Sequence, residues 1–201
     1  MRDKRKERIY EGKATCAEVV RLTRRLGDDI GKVYGWRFPK RTVSRERQRQ
    51  RMSKRQSGCS DLEAAQEAER IRNALLDARM DFTFETVLST ERNLELLRRA
   101  KQAGYRIHAV FVLTNDPEIN VRRVRERVAA GGHDVPEEKN RSRYARSLNN
   151  LSQFVRIAEI TRIIDNSGKE PNLICEVEKQ RVTIWENSQW SRDSLLALLA
   201  K

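Results

Sequence analysis

From about residue 61 onward, segments with the pattern of a strand alternate with segments that have the pattern of a helix. Ile107 to Leu113 is an almost uninterrupted apolar run, which is typical of a strand covered on both faces. Asp81 to Leu88 is aromatic and β-branched and also predicts a strand. Between them, Leu94 and Leu97 have the spacing of one helix face. Such alternation favours an α/β fold with a parallel sheet.

The other predicted elements follow with short connections. Helices are predicted over 64–75, 90–100, 117–130 and 136–155, a third strand over 160–164, a hairpin over 174–185 and a short helix over 195–199. Asp116 has the position of a helix cap, with Pro117 in the first turn. Because ligands of such sheets bind beyond the carboxyl ends of strands, the candidate site segments are 85–89, 114–116 and 165–168.

Charge divides the chain into two parts. Residues 1–60 hold 19 Lys and Arg against 7 Asp and Glu, whereas residues 61–201 hold 23 against 22. Almost all of the net charge of +13 therefore lies in the first part. Arg41 to Arg55 is especially basic, and only Cys16 to Leu26 has the spacing of an amphipathic helix. We predict a basic N-terminal segment, 1–60, and an α/β body, 61–201.

Several classes of protein do not fit the composition. No apolar run is long enough for a transmembrane helix, so no membrane association is expected. Cys16, Cys59 and Cys175 are far apart, and neither His108 nor His133 completes a zinc-binding pattern. We therefore expect no bound structural metal and a reducing, cytoplasmic location.

Four motifs occur in order along the body. They are Phe82-Thr-Phe-Glu-Thr-Val-Leu-Ser89, Gly104-Tyr-Arg106 before an apolar strand, a lid-like region, and Asp165-Asn-Ser-Gly168. The lid-like region combines Gly131-Gly-His-Asp-Val-Pro136 with the pattern Arg143-Tyr-x-Arg-Ser-Leu-x-Asn-Leu151. Together these motifs resemble the zeta-toxin-like P-loop kinases, including the branch described as zeta-toxin-like ATPases. The resemblance covers roughly residues 62–185.

The resemblance implies a P-loop kinase core that is incomplete at its N-terminus and followed by the hairpin and short helix. It implies a kinase that uses ATP and Mg²⁺ to phosphorylate a small hydroxyl-bearing acceptor. In the well-known zeta toxins that acceptor is UDP-N-acetylglucosamine, and an antitoxin protein blocks the site.

Positions that match the family's motifs imply roles for individual residues. Glu85 would hold the acceptor with Thr86 and Ser89, and the cations around the transferred phosphoryl group would be Arg143, Arg146 and Arg127. His133 is another lid candidate, and Asn166 and Ser167 would contact the nucleotide. Arginine suits such a role because its planar fork binds phosphate through two hydrogen bonds. The alternative interpretations are a solvated helix face for the arginines and an ordinary turn at residues 165–168.

A phosphate-binding loop of the form G-x-x-x-x-G-K-[ST] is absent from the sequence. Gly27-Asp-Asp-Ile-Gly-Lys-Val33 has one residue too few between its glycines and ends in valine. Gly12-Lys13-Ala14-Thr15 precedes a possible helix, and Lys13 is the candidate phosphate-binding lysine there. Without the central strand that normally precedes this loop, the remaining strands are expected to lack a neighbour.

Three functions remain open from the sequence. The first is a zeta-type kinase. The second is a nucleic-acid-binding protein that contacts phosphates through residues 1–60 in a salt-dependent manner. The third is a degenerate, non-catalytic remnant of the kinase.

Overall fold

The computed structural model describes residues 18–23, 42–43, 61–132 and 134–200. These residues form seven strands and five helices. The strands are β1 (Glu18–Thr23), β2 (Thr42–Val43), β3 (Phe82–Thr86), β4 (Arg106–Leu113), β5 (Ile160–Asp165), β6 (Asn172–Glu178) and β7 (Arg181–Ile184). The helices are α1 (Asp61–Asp77), α2 (Glu91–Gln102), α3 (Pro117–Ala129), α4 (Glu137–Ile157) and α5 (Arg192–Ala200). No helix in the described part is both long and apolar enough to cross a bilayer.

All seven strands belong to one sheet, in the order β2-β3-β1-β4-β5-β6-β7. β2 pairs with β3 in parallel, and β4 pairs with β5 in parallel. β1 is antiparallel to both β3 and β4, so β2, β3, β4 and β5 all run in one direction. The α/β class is confirmed, and the fold is consistent with a P-loop kinase core, in which β3, β4 and β5 of the body run in one direction. The sheet as a whole is mixed, because β1, β6 and β7 have antiparallel neighbours.

The strand β1 corrects two expectations from the sequence. Residues 16–26 were expected to form a helix, but Glu18–Thr23 is a strand. The other strands were expected to lack a central neighbour, but β1 lies between β3 and β4 in the sheet. Its backbone pairs Val20 with Phe84 on one side and with Ala109 on the other. Two strands that both present unpaired N–H and C=O groups favour an extended segment between them. Val19, Val20 and Thr23 are β-branched and suit that conformation.

The division of the chain near residue 60 stays a prediction. Two segments before that boundary, β1 and β2, contribute strands to the same sheet as the body.

Local sequence signals explain most element boundaries in the body. The side chain of Asp116 accepts a hydrogen bond from the backbone N–H of Glu118 at 2.9 Å, and Pro117 begins α3, as predicted. The hairpin between β6 and β7 turns at Lys179 and Gln180, whose φ angles are +46° and +72°. Two consecutive left-handed residues match the twist of the flanking strands, so the turn joins them tightly.

The main hydrophobic core lies between one face of the sheet and helices α1, α2, α4 and α5. Alternate residues of β4, from Ile107 to Leu113, point into this core, in keeping with the two-residue period of a strand. The largest fully buried side chains include Phe82, Phe84, Phe111 and Phe154. This packing holds the carboxyl ends of β3, β4 and β5 at one edge of the sheet, next to α3 and α4.

Candidate functional site: a cleft between two helices and the sheet edge

A cleft of about 130 Å³ opens at the carboxyl end of β4, between α3 and α4. Phe111, Val112 and Leu113 form its floor, and Val87, which follows β3, lies at its side. This is the edge at which ligands bind in α/β sheets, and it adjoins two of the three predicted site segments. Its remaining lining comes from α3, from α4 and from Val135 in the connection between them.

Buried polar groups hold the two helices to the end of β4. The Tyr144 hydroxyl donates to the carbonyl oxygen of Thr114 at 2.7 Å, which ties α4 to the residue after the strand. The amide of Asn120 donates to the Thr114 hydroxyl at 3.0 Å, which ties α3 to the same residue. Thr114 and Asn120 are both buried. Because buried polar groups that keep their partners rigidify a structure, the cleft has a fixed polar corner beside its apolar floor.

Two of the three predicted cationic residues come together in the cleft. Arg127, near the end of α3, and Arg143, on α4, both contribute to its lining. Arg143 is half-buried and Arg127 is exposed. Their positions on two different helices let them approach one ligand from two sides.

Arg146 lies elsewhere on α4. It is exposed, and its guanidinium donates to the Ser142 hydroxyl at 2.8 Å. Among the described residues, the cleft lining does not include Arg146. The residues of α4 that do line it are Asn140, Arg143, Tyr144, Ser147 and Leu148, which follow the spacing of a single helix face. The catalytic roles of the arginines stay predictions, but the structure separates Arg146 from Arg143.

An ion-pair network joins α3 and α4 outside the lining of the cleft. Arg141 binds both carboxylate oxygens of Glu118, at 2.5 and 2.9 Å, and also contacts Glu137 at 3.2 Å. Arg125 donates to Glu137 as well. The hydrogen bonds from Arg141 lower the pKa of Glu118, and those from Arg125 lower the pKa of Glu137. Groups with a lowered pKa in the folded state lose their stabilising effect as the pH falls through that pKa, so this network weakens in acid.

The predicted acceptor-binding segment forms a tight turn after β3. Glu85 is exposed, and Ser89 is half-buried. The Thr86 hydroxyl accepts hydrogen bonds from the Leu88 N–H at 3.1 Å and from the Asn93 amide at 2.6 Å. Leu88 is fully buried and has a φ of +49°, which ends β3 two residues before the predicted strand end. The segment is therefore well ordered, and its residue at the cleft is Val87, which the sequence did not single out.

The turn after β5 is held by internal hydrogen bonds. Asp165 is buried and accepts from the Ser167 hydroxyl at 2.5 Å and from the indole N–H of Trp190 at 3.1 Å. The Ser167 hydroxyl in turn accepts from the backbone N–H of Asn115 at 2.8 Å. The backbone N–H of Asn166 donates to the carbonyl of Leu113 at 2.8 Å. These contacts connect the ends of β4 and β5, and the nucleotide-binding role of Asn166 and Ser167 stays a prediction.

Two further predicted site residues cannot be placed in the fold. Lys13 and His133 lie outside the described residues, as does most of the basic segment 1–60. In the described ranges, no three His, Cys, Asp or Glu side chains cluster as metal ligands, so no residue is assigned to the Mg²⁺ that the family resemblance implies. Cys175 is fully buried, and burial raises the pKa of its thiol to about 11, so it is not a reactive thiolate at neutral pH.

The model of a known protein family matches most of the chain. The family model described as "Zeta toxin" matches residues 39–189, which include the cleft, the turn after β3 and the turn after β5. The chain belongs to the zeta toxin family. The zeta toxin family is a family of P-loop-kinase-like proteins that use nucleotides.

A relative of this zeta toxin family member occurs in Haemophilus influenzae as an uncharacterized protein. The two are 28% identical over 85 residues, which cover 42% of this chain and 61% of the relative. This chain therefore spans less than two thirds of that relative. No solved structure matches the chain.

Proposed function

We propose that this zeta toxin family member is a phosphotransferase whose cleft binds a small, anionic, hydroxyl-bearing acceptor of the UDP-N-acetylglucosamine type. The observation that carries the proposal is the meeting of Arg127 and Arg143 in one cleft at the carboxyl ends of the strands. The reaction of the family would transfer the γ-phosphoryl group of ATP to a hydroxyl of that acceptor.

The chemistry of the cleft supports an acceptor that combines phosphate with a less polar part. Phosphoryl transfer spreads negative charge over the moving group, so positioned cations do much of the catalytic work. Arg127 and Arg143 supply that charge, and the apolar floor from Phe111 to Leu113 suits a base or sugar face. We assign Glu85 and Ser89 to the acceptor's hydroxyl groups. The Thr86 hydroxyl accepts hydrogen bonds from Leu88 and Asn93, and we assign it the role of shaping the segment that carries Glu85 and Ser89.

Calorimetric titration with UDP-N-acetylglucosamine tests the acceptor proposal. We expect a dissociation constant of about 1 mM or tighter, which corresponds to at least about 4 kcal/mol of binding free energy. N-acetylglucosamine is the matched control, because it keeps the sugar and lacks the diphosphate that the arginines would bind. Absence of binding by the sugar nucleotide, or equal binding of both compounds, would contradict the proposal.

ATP is expected to bind more weakly than in a kinase with a complete phosphate-binding loop. Backbone N–H groups of that loop cradle the phosphates and its lysine reaches the terminal ones, and this sequence has no such motif. We therefore expect Mg·ATP to bind with a dissociation constant of about 1 mM or weaker. A micromolar constant in the same calorimeter would show that another segment, such as the one that contains Lys13, supplies the phosphate contacts.

The remaining partners are proposals of the same kind. An antitoxin that covers the cleft would follow from the toxin role known in the family. Contact with nucleic acid would follow from the 19 Lys and Arg of residues 1–60.

A further inference from the structure

The turn after β3 contains a residue in a conformation that leucine rarely adopts. Leu88 has a φ of +49°, and its side chain is fully buried in the core. Residues other than glycine in this region are strained, and such strain persists only where surrounding contacts impose it. The contacts that impose it here are hydrogen bonds of side chains with both the N–H and the carbonyl group of Leu88.

The two partners come from different parts of the fold. The Leu88 N–H donates to the hydroxyl of Thr86, within the turn, at 3.1 Å. The Leu88 carbonyl accepts from the side-chain amide of Asn150, on α4, at 2.8 Å. A carbonyl oxygen can only accept, so the amide nitrogen of Asn150 must face it. Thr86 is local, whereas Asn150 connects the turn to the helix that also carries Arg143.

Asn150 lies on the cleft-facing side of α4. Arg143, Ser147 and Asn150 are spaced by four and then three residues, so they follow one another along a single helix face. Arg143 and Ser147 line the cleft, and Asn150 continues that row to the turn after β3. Val87, directly before Leu88, is 37% exposed and also lines the cleft.

We infer that Asn150 is a positioning residue that holds residues 87–89 in the conformation required for acceptor binding. Its hydrogen bond maintains the left-handed Leu88, and the residue before Leu88, Val87, lines the cleft. The acceptor segment and the helix that carries Arg143 are thereby fixed relative to each other. The role in acceptor binding rests on the proposed function, whereas the effect on the turn does not.

The test compares Asn150→Asp and Asn150→Ala with the unchanged chain. Aspartate keeps the shape of asparagine and places an acceptor against the Leu88 carbonyl, while alanine removes the donor. Alanine has the higher helix propensity, so this variant is expected to fold. Asn149→Asp is the matched control, because Asn149 is exposed on the same helix and the charge change is identical.

Amide hydrogen exchange, resolved by residue in NMR spectra, reports on the turn without any ligand. We expect exchange of the Leu88 amide, which is bonded to Thr86, to accelerate about 10-fold in both Asn150 variants, with the amides of β4 unchanged, because only the local opening becomes easier. Asn149→Asp is expected to leave all of these rates unchanged. An exchange rate at Leu88 within twofold of that of the unchanged chain in both variants would overturn the inference.

Calorimetry with UDP-N-acetylglucosamine supplies the second readout. We expect both Asn150 variants to bind it about 10-fold more weakly, since small displacements of positioning groups have effects of this size or larger. Accelerated exchange with unchanged affinity would overturn the role in acceptor binding. If the unchanged chain does not bind this compound, the proposed function fails, and the exchange rates alone decide whether Asn150 positions the turn.

Discussion

Arg143→Ala is expected to weaken the binding of UDP-N-acetylglucosamine by about 10-fold to 100-fold. The variant removes a guanidinium from the lining of the cleft, where it would face the proposed diphosphate. Hydrogen bonds to charged groups contribute about 1.5–3 kcal/mol, and each 1.4 kcal/mol changes affinity about tenfold. Calorimetric titration of the folded variant measures the change directly. The affinity for N-acetylglucosamine is expected to stay the same, because this compound has no phosphate.

Arg146→Ala provides a demanding control for the Arg143 variant. Both residues are arginines of the same helix, and the family's motif would give both a role at the phosphates. Arg146 is exposed and its guanidinium is hydrogen-bonded to Ser142. Its loss is therefore expected to change the affinity for UDP-N-acetylglucosamine by less than about twofold. Equal losses in the two variants would contradict the cleft as the acceptor site and would favour the role that the sequence motif implies for Arg146.

Phe154→Ala is expected to destabilise the protein by about 3–5 kcal/mol, the usual cost of truncating a buried phenylalanine. Phe154 is fully buried on α4, and its ring centroid lies 6.2 Å from that of Phe111 on β4. The truncation leaves a cavity between the helix and the strand that forms the cleft floor. Urea unfolding followed by circular dichroism gives the difference in free energy of unfolding.

Asn149→Ala serves as the stability control for Phe154→Ala. It lies on the exposed side of the same helix, and surface substitutions usually change stability by no more than about 0.5 kcal/mol. A loss of less than about 1 kcal/mol in Phe154→Ala would mean that α4 does not pack on the sheet as described. The observed packing of α4 is what holds Arg143 and Asn150 in place, so the fold and the site depend on the same contacts.

The elements of the body were predictable because their signals are local. The cap at Asp116, the proline after it and the apolar run in β4 each act within a few residues of their own position. The hairpin at Lys179 and Gln180 was predictable from the alternation on either side of it. The family resemblance was equally accessible, because its motifs are short and lie in the same order as these elements.

The position of β1 was decided by tertiary structure. Residues 18–23 have a spacing that also suits a helix, and periodicity alone favoured that interpretation. The strand forms because β3 and β4 both offer unpaired backbone groups to the same segment, and these groups come from residues sixty or more positions away. A pattern within the segment contains no information about such distant partners.

The composition of the cleft shows the same division between local and distant causes. Local sequence patterns are sufficient to predict cationic side chains on α4, at the carboxyl-end edge of an α/β sheet. Packing places Arg143 and Arg127 in the cleft and leaves Arg146 outside it, because the rotation of α4 is set by Phe154 and Leu151 in the core. The contact between Asn150 and Leu88 likewise joins residues 62 positions apart. Helix periodicity gives the relative directions of side chains, and packing against the rest of the molecule determines which of those directions faces the site.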